Sequence, residues 1–312
     1  MRILITGGAG FIGSNLADYL FDQGHELIVV DDFSTGKASN LIRLHSKISI
    51  ISASIEDVDL NEYASLDAVV HLAAQASVPL SITNFKDSST TNILGTIHVI
   101  DHCSKNGVPL VFASSSAIYG DLPLGDDEAG AIDLLSPYAA DKYAMEVYAM
   151  TAHNVYNLST VGLRFFNVYG PRQDPSSPYS GVISIFADRL LKDQSITING
   201  GHQTRDFVFV KDVVVCIAKS IDLAMSQPTC EMLNVLTGRS VTIDEIADQI
   251  GCEVGGVAEK VYQALPPGDP VASQGASNKL INTLGIDISS FKEIETGLKE
   301  TVQFIRDDAS DE

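Results

Sequence analysis

The chain has 312 residues, enough for about two domains at ~150 residues each, and its 45% hydrophobic content is ordinary for a globular protein. Against 20 basic residues stand 40 acidic ones, a net charge of -20 that repels nucleic acid and anionic lipid and excludes both as expected partners. Cys103, Cys216, Cys230 and Cys252 are widely spaced with no Cys/His cluster, which argues against a metal site and for reduced thiols in a cytoplasmic protein.

The first residues run directly into the apolar stretch Arg2–Thr6, without the basic and apolar regions of a signal peptide. No apolar run approaches the ~18 residues needed to cross a bilayer, so no membrane partner is expected. After Arg2–Thr6 come short β-rich runs at Leu27–Val30, Ile48–Ile51, Ala68–Leu72, Leu110–Ala113 and Thr160–Arg164. Runs that are apolar throughout suit strands buried on both faces of a parallel sheet. Between them lie stretches of helical spacing, such as Phe11, Ile12, Leu16, Tyr19 and Leu20. This alternation predicts an α/β fold with a Rossmann-type, doubly wound parallel sheet.

Beyond Gly170 the pattern changes. Pro171, Pro175 and Pro178 interrupt a polar loop, followed by a helix over Val182–Leu191, a strand over Ser195–Ile198 and a turn at Gly200-Gly201. From Asn234 the elements become shorter. The expected division is therefore a dinucleotide-binding domain over residues 1–170 and a smaller α/β substrate lobe over 171–312, some of whose segments return to the main sheet. The acidic last residues, DDASDE, are expected to fray.

Gly7-Gly8-Ala9-Gly10-Phe11-Ile12-Gly13 follows a strand and opens a helix. Glycines there allow a tight turn and a close approach to a pyrophosphate, and the helix N-terminus supplies N–H groups and partial positive charge. Asp31-Asp32 ends the second strand, where a carboxylate can accept hydrogen bonds from ribose hydroxyls and repel a 2′-phosphate. The combination favours NAD over NADP; a bare glycine turn would carry no such acid.

Ser114-Ser115-Ser116 ends the fifth run, at the side of the sheet where ligands bind. Downstream, Tyr138 and Lys142 share one helical face behind Pro137, a residue suited to a helix start. An ammonium beside a phenol favours the phenolate and lowers its pKa from ~10, making it a base toward a substrate hydroxyl. Tyr-x-x-x-Lys alone is common on helices, and serines after strands are usually turn residues. Their order behind a dinucleotide turn is what makes the set specific.

TGGAGFIGS, VVDDFSTG, HLAAQASVP, TNILGT, FASSSAIYG, SPYAADKYAMEVY, LRFFNVYGPRQ and RDFVFVKDV together resemble the extended short-chain dehydrogenase/reductase family, in particular its NAD-dependent UDP-sugar 4-epimerases. The likeness is strong from Met1 to about Asp212 and weaker beyond. It implies Ser115, Tyr138 and Lys142 as the catalytic set. For the cofactor it implies Gly7, Gly10, Phe11, Ile12 and Gly13, then Asp31, Asp32, Ser34, Gly36 and Lys37, then Ser54, Ile55, Leu72, Ala73 and Ala74, with Tyr138 and Lys142. For the UDP-sugar it implies Ser115, Ser116, Asn167, Arg205 and Ser273, and it implies no metal. A bidentate arginine also answers the need to hold a diphosphate inside an acidic protein.

The implied reaction is redox-neutral: Tyr138 takes the O4 proton, NAD takes the C4 hydride, the 4-keto sugar turns over and hydride returns to its other face. Related dehydratases carry an Asp-Glu pair after the catalytic hydroxyl, whereas Ser116-Ala117 stands here. A tyrosine that restricts the sugar's C2 side in some epimerases aligns with Ser273, which leaves room for an N-acetyl group and favours UDP-GlcNAc/UDP-GalNAc. The chain also departs from the pattern: Pro266 replaces a phosphate-binding arginine, Ala276 an acid, and Ala53-Ser54 an adenine-side Gly-Asp. Two alternatives remain: another nucleotide-sugar oxidoreductase or uronic-acid 4-epimerase on the same scaffold, and a non-catalytic dinucleotide sensor. Family members commonly form homodimers through four helices, here expected near Thr91–Cys103 and Tyr138–His153, with Val99, Ile100, Val147 and Met150 as candidate contacts.

Overall fold

A computed structural model describes residues 1–63, 65–177, 180–257, 259–265 and 270–308. Pro178, the segment Pro266-Pro267-Gly268-Asp269 and residues 309–312 lie outside the described residues. In chain order the main elements are β1 (Arg2–Thr6), α1 (Phe11–Asp22), β2 (Glu26–Asp31), β3 (Ser49–Ser52), β4 (Ala68–His71), α2 (Val78–Thr83), α3 (Phe85–Ser89), α4 (Gly95–Asn106), β5 (Leu110–Ser115), α5 (Pro137–Tyr156) and β6 (Thr160–Phe165). They continue with β7 (Asn167–Tyr169), α6 (Val182–Leu191), β8 (Ile196–Asn199), β9 (Thr204–Phe209), α7 (Val210–Ser226), β10 (Cys230–Val235), β11 (Ser240–Thr242), α8 (Ile243–Val254), β12 (Lys260–Gln263), β13 (Ala272–Ser273), α9 (Asn278–Leu284) and α10 (Ile294–Asp308).

The central sheet has seven strands in the order β10-β6-β5-β4-β1-β2-β3. β1 pairs in parallel with both β2 and β4, β2 with β3, and β4 with β5. The strands β4, β5 and β6 are buried at every position, as apolar runs covered on both faces must be. Chain direction across the sheet reverses at β1/β4, the switch point where such sheets bind ligands beyond their carboxyl ends. This is the doubly wound Rossmann-type α/β fold. β5 runs two residues past the predicted Ala113, so Ser114 and Ser115 are strand residues and not turn residues.

Contacts divide the chain into two compact units: residues 1–118, 134–164 and 214–233, and residues 119–133, 165–213 and 234–312. The first has a core that includes Leu4, Val69, Phe112 and Met145. Val99 and Ile100 are buried in that same core, at 0% and 8% exposure, which corrects their expected place at a subunit interface. Burial within one chain already removes their apolar surface from water. Val147 and Met150 of α5 are exposed.

The second unit packs α6, α8 and α10 around Tyr169, Phe186, Phe209, Ile246 and Val302. β9 pairs with β11, β13 and β7, and β8 pairs with β12 in a separate two-stranded ribbon. Among the described residues, no helix is long and apolar enough to cross a membrane.

Candidate active site

The glycine turn is shaped for close approach. Gly7 has φ +67°, and a Cβ there would sit 2.7 Å from the backbone nitrogen of Ala73. A Cβ on Gly13 would lie 2.2 Å from the carbonyl oxygen of Gly7. Only glycine tolerates both the left-handed backbone and the crowding. Phe11 and Ile12 begin α1 directly behind the turn. The segment after β4 lies against it: the Leu72 N–H donates to the Thr6 carbonyl at 3.1 Å and the Ala73 N–H to the Thr6 hydroxyl at 3.1 Å, with Ala74 next in sequence.

The two acids after β2 are not equivalent. Asp31 is buried, accepting from the Ala9 N–H at 2.8 Å and the Phe33 N–H at 2.9 Å. Burial raises its pKa, while the backbone donors from Phe33 and Ala9 oppose the rise. Asp31 thus braces the glycine turn, and a carboxylate oxygen that accepts one bond retains a second lone pair for a ribose hydroxyl. Asp32 is exposed and caps its own turn, accepting from the Ser34 N–H at 2.9 Å. The Lys37 N–H and the Asn40 amide both bind the Ala9 carbonyl, folding the Ser34–Lys37 loop and Gly36 over the turn. Ser54 and Ile55 follow β3, anchored by the Ala53 N–H donating to the Asp31 carbonyl at 3.2 Å. Apart from Tyr138 and Lys142 on α5, the residues expected to hold NAD therefore gather around the carboxyl ends of β1 to β4, and the crowded glycine cradle fits a dinucleotide.

Ser136 caps α5 by accepting from the Ala139 N–H at 3.2 Å, and Pro137 starts the helix. Tyr138 and Lys142 stand one turn apart and both are buried. The Ser115 hydroxyl at the end of β5 is the neighbour that pulls the Tyr138 phenol toward ionisation. Lys142 Nζ donates to the Ala113 carbonyl at 2.9 Å and lies 5.8 Å from the Tyr138 ring centre. One expectation is corrected here. The phenol pKa is raised, not lowered: burial dominates, the Ser115 hydroxyl pulls the other way, and the Asp141 charge adds to the rise. The ammonium is occupied with a carbonyl and is itself lowered by burial to about 8. Ser116 follows β5 in a short 3₁₀ turn, half-buried, with the Ala117 N–H donating to Ser115 Oγ at 3.1 Å.

Several supporting residues escaped the sequence reading. Asn92 lies in a single π-helical turn, Thr90–Leu94, an irregularity common near functional sites. Its amide donates to Asp141 at 3.1 Å. The Tyr138 N–H donates to Ser81 Oγ at 3.1 Å. His71 sits between the hydroxyls of Thr6 and Thr96 at 2.8 and 3.1 Å, and burial followed by the charge of Lys142 lowers its pKa to about 3. Glu146, four residues past Lys142, forms a buried pair with Arg164. The four-residue spacing of Tyr138, Lys142 and Glu146 was the only sequence signal for that pair; the others depend on distant segments.

The expected substrate residues Asn167, Arg205 and Ser273 lie in the second unit. Asn167 and Arg205 both line a cavity of about 380 Å³. Its polar wall includes Thr197 and Asn199 of β8, where Ile196 and Ile198 alternate inward to the core. Gln173 and Gln203 add carboxamides, and Phe186 and Phe207 an apolar wall. Arg205 is buried, with Nη1 donating to its neighbour's carbonyl at 2.9 Å. Asn167 Nδ2 donates to the Asp206 carbonyl at 3.2 Å. Ser273 on β13 is the direct register partner of Arg205, placing its small side chain beside the arginine strand.

Comparison with known proteins agrees with this geometry. Residues 3–235 match the model of the NAD dependent epimerase/dehydratase family. A putative UDP-glucose 4-epimerase of Methanocaldococcus jannaschii is 40% identical over 276 residues, covering 86% of this chain and 87% of that protein. The structure of a UDP-glucose 4-epimerase from Thermotoga maritima with UDP-glucose superposes with TM-score 0.91 at 37% identity, covering 99% of this chain and all of the other. A UDP-N-acetylglucosamine 4-epimerase from Methanobrevibacter ruminantium, in complex with UDP-N-acetylmuramic acid, gives TM-score 0.90 at 34% identity with 98% of both chains covered. The protein belongs to the NAD dependent epimerase/dehydratase family, with NAD as its cofactor.

Proposed function

We propose that the protein is a 4-epimerase of a UDP-hexose, acting on UDP-GlcNAc and UDP-GalNAc through a 4-keto sugar. The observation that carries this reading is the buried Tyr138 and Lys142 pair one turn apart on α5, with Lys142 Nζ hydrogen-bonded to Ala113, two residues before Ser115 at the carboxyl end of β5. Tyr138 is the base that takes the O4 proton, relayed by Ser115; Lys142 binds the nicotinamide ribose. NAD, held by the glycine turn and Lys142, would supply hydride chemistry at C4 and a positive charge to the site. A nearby cation favours phenolate, offsetting the burial that raises the Tyr138 pKa in the protein alone. Ser116 holds the sugar, and Asn167 and Arg205 hold the diphosphate in the second unit.

Ser116-Ala117 offers no acid to expel a C6 hydroxyl, which favours epimerisation over dehydration. The small Ser273 in register with Arg205 supports an N-acetylated sugar. The helix α5 exposes Val147, Tyr148 and Met150, an apolar strip that supports pairing of two copies through this helix.

The deciding experiment incubates purified protein with a panel of UDP-hexoses and UDP-N-acetylhexosamines, without added NAD, and separates the products. Interconversion of UDP-GlcNAc and UDP-GalNAc with retained NAD is expected. Conversion of only the non-acetylated sugars would overturn the role given to Ser273; NADH accumulating with substrate would point to a net dehydrogenase; inertness toward every sugar would sink the epimerase reading.

A further inference from the structure

Three successive residues of β5 are each joined to α5. The Ala113 carbonyl accepts from Lys142 Nζ at 2.9 Å, the Ser114 hydroxyl donates to Glu146 Oε1 at 2.5 Å, and the Ser115 hydroxyl acts on the Tyr138 phenol. The middle link alone involves no group that the proposed chemistry uses. Glu146 is 4% exposed and also takes a two-pronged contact from Arg164 of β6, Nε to Oε1 at 2.8 Å and Nη2 to Oε2 at 2.7 Å.

A buried ion pair is a poor device for stability alone, because desolvation offsets most of its attraction and well-packed apolar residues often replace it without loss. What the pair supplies is direction. A bidentate carboxylate–guanidinium contact admits little rotation, and its third bond ends on the residue next to Ser115. Tyr138, Lys142 and Glu146 occupy one face of α5 at four-residue spacing, so a helix that turned or slid about Glu146 would carry the phenol with it.

We propose that Glu146, clamped by Arg164, is a positioning residue that sets the rotation and height of α5 against β5 and so holds the Tyr138 phenol in place beside Ser115. The inference rests on the epimerase reading for its kinetic consequence but not for its structural one. Displacement of a reacting group by about 1 Å can cost on the order of a hundredfold in rate.

The test uses Ser114→Ala, Glu146→Gln and the double variant Glu146→Leu/Arg164→Met in the holoenzyme. The double variant removes both charges together and keeps the question open to decision should a single variant fail to fold. Each variant is expected to lose about tenfold or more in kcat, with KM within about twofold, the pattern of an interaction made in the transition state. A second readout does not need turnover. Tyr138 is titrated by ultraviolet difference spectra against Tyr138→Phe in the same background, with Asp141, Lys142 and His71 left in place. Its midpoint is expected to rise, because a phenol displaced from the Ser115 hydroxyl leaves burial less opposed. A stable double variant with wild-type kcat and an unmoved tyrosine midpoint overturns the proposal. A wild type inert on every sugar, with the midpoint still displaced in the variants, would retire the epimerase reading and keep the positioning role.

Discussion

At the scale of single residues, burial decides protonation. Tyr138, Lys142 and His71 share a dry region, and each is pushed toward its neutral form by desolvation. In the proposed reading, a phenol held in this way becomes a base only when a cation lies beside it. Tyr138→Phe, which keeps the ring and removes only the hydroxyl, is expected to lower kcat by about 10²–10⁴-fold with bound NAD retained, measured by product formation under saturating sugar. His71 gives a prediction about stability. Its folded pKa of about 3 lies below the ordinary 6.5, so between these values the unfolded chain binds a proton that the folded chain refuses. Stability should therefore fall as pH drops from 6.5 toward 3, by on the order of a few kcal/mol in all. His71→Asn should flatten that part of a denaturant-melt series; an unchanged slope would show that other groups govern acid unfolding.

At the scale of elements, the turn between β1 and α1 is crowded beyond what any side chain permits. A Cβ on Gly13 would meet the Gly7 carbonyl at 2.2 Å, so Gly13→Ala must shift the first turn of α1 away from β1. The expected cost is about 1–3 kcal/mol of stability, as for overpacking elsewhere. NAD content of the purified protein should drop at least tenfold, because the N–H groups that would bind pyrophosphate move with the helix. Melting temperature and cofactor stoichiometry read the two effects separately. Full cofactor loading in a destabilised variant would mean that the turn serves packing and not binding. The clamp between α5 and β5 belongs to the same scale: both elements carry reactive groups, and a third strand fixes them.

For the molecule as a whole, a net charge of -20 makes local cations scarce, and Arg205 is a cation that lines the cavity of the second unit, where the proposed reading puts a diphosphate. Arg205→Lys keeps the charge but loses the planar fork, and is expected to raise KM for the UDP-sugar about tenfold or more with a smaller effect on kcat. The proposed pairing of two copies is tested at this scale too. Val147→Glu/Met150→Glu places charges on the exposed strip of α5 and should convert a dimer to monomer in sedimentation, without unfolding either unit. Sedimentation of the unaltered protein as a monomer would remove the pairing altogether.

Order along the chain was enough to read the doubly wound sheet and to place the glycine turn between β1 and α1 and Tyr138 and Lys142 on one helix, because hydrophobic period, glycine spacing and helical repeat are local properties of the chain. Tertiary structure alone revealed that Asp31 braces the turn, that Val99 and Ile100 belong to the core, and that Lys142 points to the Ala113 carbonyl while the phenol pKa rises. It also joined Ser114, Glu146 and Arg164 across three elements. Desolvation and long-range hydrogen bonds depend on which segments come together in space, and spacing along one chain carries no measure of either.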